Sequence, residues 1–187
     1  MKTCPPKVLV HLKGSIQLKQ RPRIQQFCLL IIQFALLSCS AFIHPNPAST
    51  QPPFDVRLSE LVTPTAYELF LSVSPSQPQY TGRVSIDLRL SADQFAVELH
   101  AKGLTLVSAV FNGSQGQQNL SVERLTDARV RLRSDGPLKA GVGRLIIDFK
   151  GALSTTPDGL YAVKDGEAHY IFSQFEPIAA RTAFPCF

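Results

Sequence analysis

The sequence has little with which to build a hydrolytic centre. Its four histidines are His11, His44, His100 and His169; no two stand at i, i+4 spacing, and no His-Glu dipeptide occurs. A zinc site of the H-E-x-x-H kind needs two histidines one helical turn apart, a glutamate between them as general base and a further carboxylate ligand. No G-x-S-x-G turn offers a serine nucleophile in its place. The four cysteines, Cys4, Cys28, Cys39 and Cys186, are too few and too scattered for a disulfide scaffold, and none forms a C-x-x-C pair. Helical periodicity is missing from every window, which removes the all-α classes. Acidic residues are absent before Asp55, so six of the 19 basic residues lie in an acid-free stretch and the other 13 face 14 acidic ones. Phosphate affinity requires clustered cations on the folded part, and that part is close to neutral, so no nucleic acid is expected as a partner.

What is present begins with an apolar run, Phe27 to Ile43, behind the basic flank and ahead of small residues and prolines. At 17 residues, with Gln33 and Ser38 inside it, the run is short against the ~20 that a bilayer span requires. Residues 1–43 therefore read as a basic n-region followed by an export signal. Cleavage among Ser38, Ser40 and Ala41, lipidation at Cys39 in a Leu-Leu-Ser-Cys setting, and retention as a signal anchor remain three alternatives. Each predicts an exported chain, extracellular or periplasmic or associated with a membrane through residues 27–43 or a lipidated Cys39. Residues 44–55 form a proline-rich tether without periodicity.

From 56 to 187 the period is two. Tyr67, Leu69, Leu71 and Val73 alternate with polar neighbours, except that Phe70 falls on the polar side. Val84, Ile86, Leu88 and Leu90 make the cleanest strand, and Phe95, Val97 and Leu99 another. Leu104 to Phe111 is a fourth, closed by an Asn112-Gly113 turn. Val130 and Leu132 alternate with Arg129, Arg131 and Arg133, read as the solvated face of an antiparallel strand flanked by Asp127 and Asp135. Leu145 to Phe149, Tyr161 and Ala168 to Phe172 complete the set, with Asp165-Gly166 as a hairpin turn. Many short strands with turn residues between them predict an all-β fold of antiparallel or mixed sheets, saddle-like or sandwich. Asn112-Gly-Ser and Asn119-Leu-Ser are glycosylation sequons.

The last stretch, Ile171 to Phe187, breaks the pattern. Pro177 and Pro185 remove backbone donors and bias Glu176 and Phe184 to extended geometry, leaving Gln174, Glu176 and Arg181 on an irregular backbone. Gln174-Phe175-Glu176-Pro177, Ala180-Arg181 and Phe184-Pro185-Cys186-Phe187 together resemble a motif in the N-terminal domain of the M1 (gluzincin) zinc aminopeptidases. Val62-Thr-Pro64-Thr-Ala-Tyr67-Glu-Leu69 is similar to that family's V-x-P-x-x-Y-x-L, Tyr80-Thr-Gly82-Arg-Val84-Ser-Ile86 to its F-x-G-x-V-x-I, Leu99-His100-Ala101 to its L-H-A and Gly159-Leu160-Tyr161 to its G-L-Y. The likeness covers the folded part and none of residues 1–55.

The resemblance implies an M1-type N-terminal β domain, partial at its C-terminal end, in an exported zinc aminopeptidase whose zinc and catalytic residues this chain does not supply. The family's Gly-x-Met-x-Asn clamp is missing as well, since Met1 is the only methionine. By the same resemblance Glu176 would hold the free α-amine of a peptide substrate and Gln174 would line its first side-chain pocket. An acceptor-only carboxylate suits an α-ammonium ion, and charge-assisted hydrogen bonds are the strong ones. An ion pair between Glu176 and Arg181 is the plainer alternative. His100, at a strand end, and His169, on a hairpin, read as structural and not as metal ligands. The alternative function is a non-catalytic cell-surface β-sheet binding module.

Overall fold

A computed structural model describes residues 57–187 and the backbone of one earlier strand, β1 (Lys7–Lys13). The apolar run at 27–43, Cys39 and the tether at 44–55 lie outside the described residues. The remaining elements are β2 (Val62–Ser72), β3 (Gln79–Leu90), β4 (Gln94–His100), β5 (Thr105–Gly113), β6 (Gly116–Asn119), β7 (Ser121–Arg124), β8 (Arg129–Leu138), β9 (Gly141–Ala152), β10 (Gly159–Asp165), β11 (Ala168–Gln174) and a one-turn helix α1 (Ala180–Ala183). The all-β reading holds.

Six strands form a large sheet in the order β1-β2-β3-β9-β5-β6, antiparallel except for the parallel β1–β2 pair. Three form a smaller antiparallel sheet, β4-β8-β7, and β10 and β11 make a separate hairpin. Because side chains alternate across a strand, every second residue of β3 faces inward: Val84, Ile86, Leu88 and Leu90 are all buried. Tyr67, Leu69 and Leu71 from β2 and Leu145, Ile147 and Phe149 from β9 share that face, and Val97, Leu99, Val130 and Leu132 from the smaller sheet complete one apolar cluster. The architecture is thus a sandwich of two sheets closed over a common core.

Three local expectations shift. Phe95 shares its parity with Val97 and Leu99, yet it is 63% exposed while they are fully buried. The register slips between Gln94 and Ala96, and a bulge re-aims the side chain before it. The β5–β6 hairpin turns at Ser114-Gln115 instead of Asn112-Gly113, since Gly113 pairs with Gly116 and the φ of 88° falls at Gly116. No strand was expected at Lys7–Lys13, where the pattern reads as the flank of a leader.

The arginines of β8 face outward as expected, but their partners are two glutamates on neighbouring strands and not the flanking aspartates. Glu98 of β4 accepts from Arg129 and, at 2.7 Å, from Arg131; Glu123 of β7 accepts from Arg133 at 2.7 Å and lies 3.6 Å from Arg131. This ladder of alternating charge crosses all three strands of the smaller sheet, the cross-strand pairing that stabilises sheet faces. Burial works to raise the pKa of Glu98, but hydrogen bonds from Arg131 and Arg129 outweigh it and hold the carboxyl below its usual range. A depressed folded pKa contributes stability that is present above the unfolded carboxylate range and lost as pH falls through the folded value. Urea unfolding should therefore weaken on acidification below the ordinary glutamate range. Glu98→Gln should cost about 1–2 kcal/mol at neutral pH, from charged hydrogen bonds lost, and flatten that acid limb; an unchanged pH profile in the variant would remove Glu98 as its source.

Candidate functional site

The hairpin and the segment after it carry the residues singled out by sequence. Asp165 pairs with Ala168 across a two-residue turn, Gly166-Glu167, and Gly166 has φ 59°, a conformation a glycine adopts without strain. The pairing places Tyr161 opposite Phe172, Val163 opposite Tyr170 and Gly159 opposite Gln174, all on one face; Leu160 and Ile171 take the other and pack against the core. The first face is an exposed aromatic stripe. Tyr161 stacks on Phe172 with ring centroids 5.7 Å apart, and Tyr170 lies 6.4 Å from Phe172. Gln174 is at the end of this stripe, exposed, and Glu176 follows two residues later, also exposed.

Past Gln174 the chain becomes a strap. Glu176-Pro177 is a cis peptide bond, and residues 175–178 stay exposed while Ala179, Ala183 and Phe184 are buried. Hydrogen bonds fasten the strap to the sandwich along its length. The Lys102 amide donates to Arg181 O at 2.8 Å, and His100 and Cys186 exchange two backbone bonds at 2.8 and 3.0 Å. The Tyr80 hydroxyl donates to Ala183 O at 2.8 Å, with Thr182 O at 3.3 Å, and the Phe187 amide donates to the Tyr67 hydroxyl at 3.1 Å. Tyr67 and Phe175 each meet Phe184 edge-on.

Gly159 joins hairpin to strap. Its φ is 70°, and a Cβ built there would lie 2.0 Å from the Thr182 hydroxyl oxygen, so only glycine lets β10 start this close to α1. Thr182 in turn donates to Ala179 O at 2.7 Å.

Burial sets the electrostatics of the strap. It pushes the Tyr67 phenol up to about 12, the Phe187 amide pulling back, and raises Tyr80 further. It lifts the Cys186 thiol to about 11, with Arg181 opposing it. Among the described residues no ion pair joins Glu176 to Arg181, so the plain alternative for Glu176 is not formed here. Nor do three His, Cys, Asp or Glu side chains gather into a metal-binding group among them. His100 is buried at the end of β4, and His169 is exposed on the hairpin. The described donor set does not fit zinc.

Sequence reasoning named Gln174 and Glu176 but missed what holds them. Tyr67, Tyr80, His100 and Gly159 were read only as pieces of separate short motifs; the structure gathers all four around one strap. Tyr80 stands where the resembled pattern has phenylalanine, and its added hydroxyl is the group that binds the strap. The sequons fall at Asn112, half-buried within β5, and Asn119, exposed at the end of β6. No helix of the described residues is long and apolar enough to cross a membrane.

A family model for the peptidase M1 N-terminal domain matches residues 63–187. Endoplasmic reticulum aminopeptidase 1 of Homo sapiens is 31% identical over 144 residues, covering 71% of this chain and 15% of that protein. Aminopeptidase M1-C of Oryza sativa subsp. japonica is 32% identical over 149 residues, 76% of this chain and 17% of its own length. Probable M1 family aminopeptidase 1 of Encephalitozoon cuniculi is 34% identical over 136 residues, 70% of this chain and 15% of its own. The chain thus spans about a sixth of the length of the curated relatives it matches.

Removing the Tyr80 hydroxyl leaves the buried Ala183 carbonyl without its donor, which costs about 1–3 kcal/mol. Tyr80→Phe should lower the urea midpoint and speed limited proteolysis between Phe175 and Phe187, with fragment masses locating the cuts; a parental cleavage pattern would deny the strap its dependence on Tyr80. A phenol whose folded pKa is raised contributes stability that is full below the unfolded value near 10 and lost as pH rises through about 12. Stability should accordingly fall between these pH values, and less steeply in Tyr67→Phe.

Proposed function

The chain belongs to the peptidase M1 N-terminal domain family, and we propose that its hairpin and strap form one wall of the substrate cleft of an exported zinc aminopeptidase. In this reading Glu176 binds the α-ammonium group of a peptide and Gln174 lines the pocket for its first side chain. The single observation that carries it is the placement of Gln174 and Glu176: both are exposed, two residues apart, where the hairpin passes into a strap whose following part, from Ala179, is buried and bonded to the sandwich. A rigid backing with outward polar groups is what a recognition wall requires, because preorganised groups lose little entropy on binding.

Glu176 accounts for exopeptidase selectivity. A free N-terminus brings a positive charge with three donors to an acceptor-only carboxylate, whereas an internal amide brings none. Zinc, which in the complete enzyme would activate water for amide hydrolysis, is held by residues other than those described here. The aromatic stripe of Tyr161, Tyr170 and Phe172 supplies an apolar face for the domain that brings it. The export leader at residues 1–43, with membrane association through residues 27–43 or a lipidated Cys39, belongs to the same reading. It accords with a relative named for the endoplasmic reticulum, whose lumen is reached by export.

Two measurements test this. The purified chain should hold no stoichiometric zinc and release no N-terminal residue from peptide amides; turnover with zinc bound would overturn the division of labour. In a longer polypeptide that couples this chain to an H-E-x-x-H segment, Glu176→Gln should cut kcat/KM on free-amine peptides by roughly 10²-fold, as expected when one partner of a desolvated charge pair is removed. Peptides with an acetylated N-terminus should be equally poor for both forms, and an equal effect of the substitution on free-amine and acetylated peptides would reject the amine-binding role.

A further inference from the structure

The sheet edges of the sandwich are not alike. An exposed strand edge offers unpaired N–H and C=O groups to any extended chain, and native sheets blunt such edges with short strands, bulges, charges or covers. The β6 edge is four residues long and so is the β7 edge. The β4 edge is bulged between Gln94 and Ala96 and bridged at His100 by Cys186. The β2 edge has none of these devices over Ala66–Ser72. Its proline, Pro64, and its register shift lie just before that stretch, and the one charge within it, Glu68, is engaged with Arg144 on the sheet surface at 2.7 Å. What covers this stretch is β1, in unbroken parallel register from Lys7 opposite Ala66 to Lys13 opposite Ser72.

The cover is drawn from residues that also read as the basic flank of an export leader. A leader has to be extended and withdrawn from the domain to be processed, so the same seven residues cannot serve export and line β2 at once. We propose that the β2 edge over Ala66–Ser72 is a strand-addition site, with Lys7–Lys13 as a displaceable cover, and that once uncovered it takes an extended peptide with an apolar centre in parallel register. Backbone ladder bonds supply the affinity in this mode and alternate side chains the selectivity. The cover shows the chemistry preferred: Val-Leu-Val-His-Leu between two lysines. The parallel direction follows from the pairing of β1.

The test uses the full chain. Val10→Pro fixes φ and removes an amide N–H in the middle of β1 without changing β2, and replacing Lys7–Lys13 by Gly and Ser at equal length is the second variant. Hydrogen exchange should show amides of Ala66–Ser72 losing protection by about tenfold or more, as a local opening does, while those of β3 and β9 keep theirs and report an intact core. A synthetic Lys-Val-Leu-Val-His-Leu-Lys peptide should bind the variants and not the parent, and should restore protection at Ala66–Ser72; the same peptide with proline at its centre should do neither. Unchanged exchange at Ala66–Ser72 in both variants, or failure of the peptide to bind them, would overturn the proposal. Concentration-dependent dimers of the parent in light scattering would assign the occupant to a second copy and overturn the in-chain cover.

Discussion

Tyr80 does two jobs at one point in the fold. Its ring packs edge-on against Phe149, 6.4 Å between centroids, inside the sandwich, and its hydroxyl reaches out of the core to the carbonyls of Ala183 and Thr182, more than 100 residues along the chain. A largely irregular segment such as 175–187 satisfies only part of its own backbone, so its other buried carbonyls and amides must find partners elsewhere or be left unpaired. Tyr80, Tyr67, the His100 backbone and the Lys102 amide provide them. The strap is therefore a dependent structure: its shape is specified by the end of the sandwich to which it is bonded. Tyrosine suits the task because its body is apolar and its tip polar, so it can occupy the core and still serve the surface.

Most of the sandwich was legible because period-two alternation maps directly onto a pleated sheet with one buried face. Val84 to Leu90 shows this most plainly, and the last hairpin was found from its Asp-Gly signal, although the chain turns one residue later, at Gly166-Glu167. Phe95 was not legible, since a bulge depends on how β4 meets β8 and leaves no mark in the alternation of β4 alone. The arginines of β8 were read correctly as a solvated face, yet their true partners, Glu98 and Glu123, are distant in sequence and became neighbours only through strand order. Pairing across a sheet is the information that a linear pattern lacks, and β1 is the extreme case, joined to β2 across about fifty intervening residues.

For the site the division is similar. Gln174 and Glu176 were reached through resemblance, and both lie exposed where β11 passes into the strap. Composition pointed nowhere near Gly159 or Thr182, because the contact between them exists only after the hairpin folds back on α1. The separate motifs that carried the resemblance turn out to share a location. In sequence they are strand signatures far apart along the chain; in space a residue from each helps to clasp one segment. Tyr80 stands where the resembled motif has phenylalanine, and its hydroxyl adds a bond to the clasp.

The exposure of Glu176 fixes what this wall can do alone. Two unit charges 4 Å apart interact by about 1 kcal/mol in water and by about 4 at the effective dielectric near a protein surface. Surface ion pairs keep little of even the smaller figure once side-chain entropy and salt are counted. An open carboxylate on the strap would thus hold a peptide amine too weakly to select one peptide from another. Covering it with a second surface would change the balance by excluding water, and the aromatic stripe beside Gln174 offers such a surface apolar area to remove from solvent, at about 25 cal/mol per Å². On the proposed reading recognition and docking would be one event: the contact that buried Tyr161, Tyr170 and Phe172 would be the contact that strengthened Glu176.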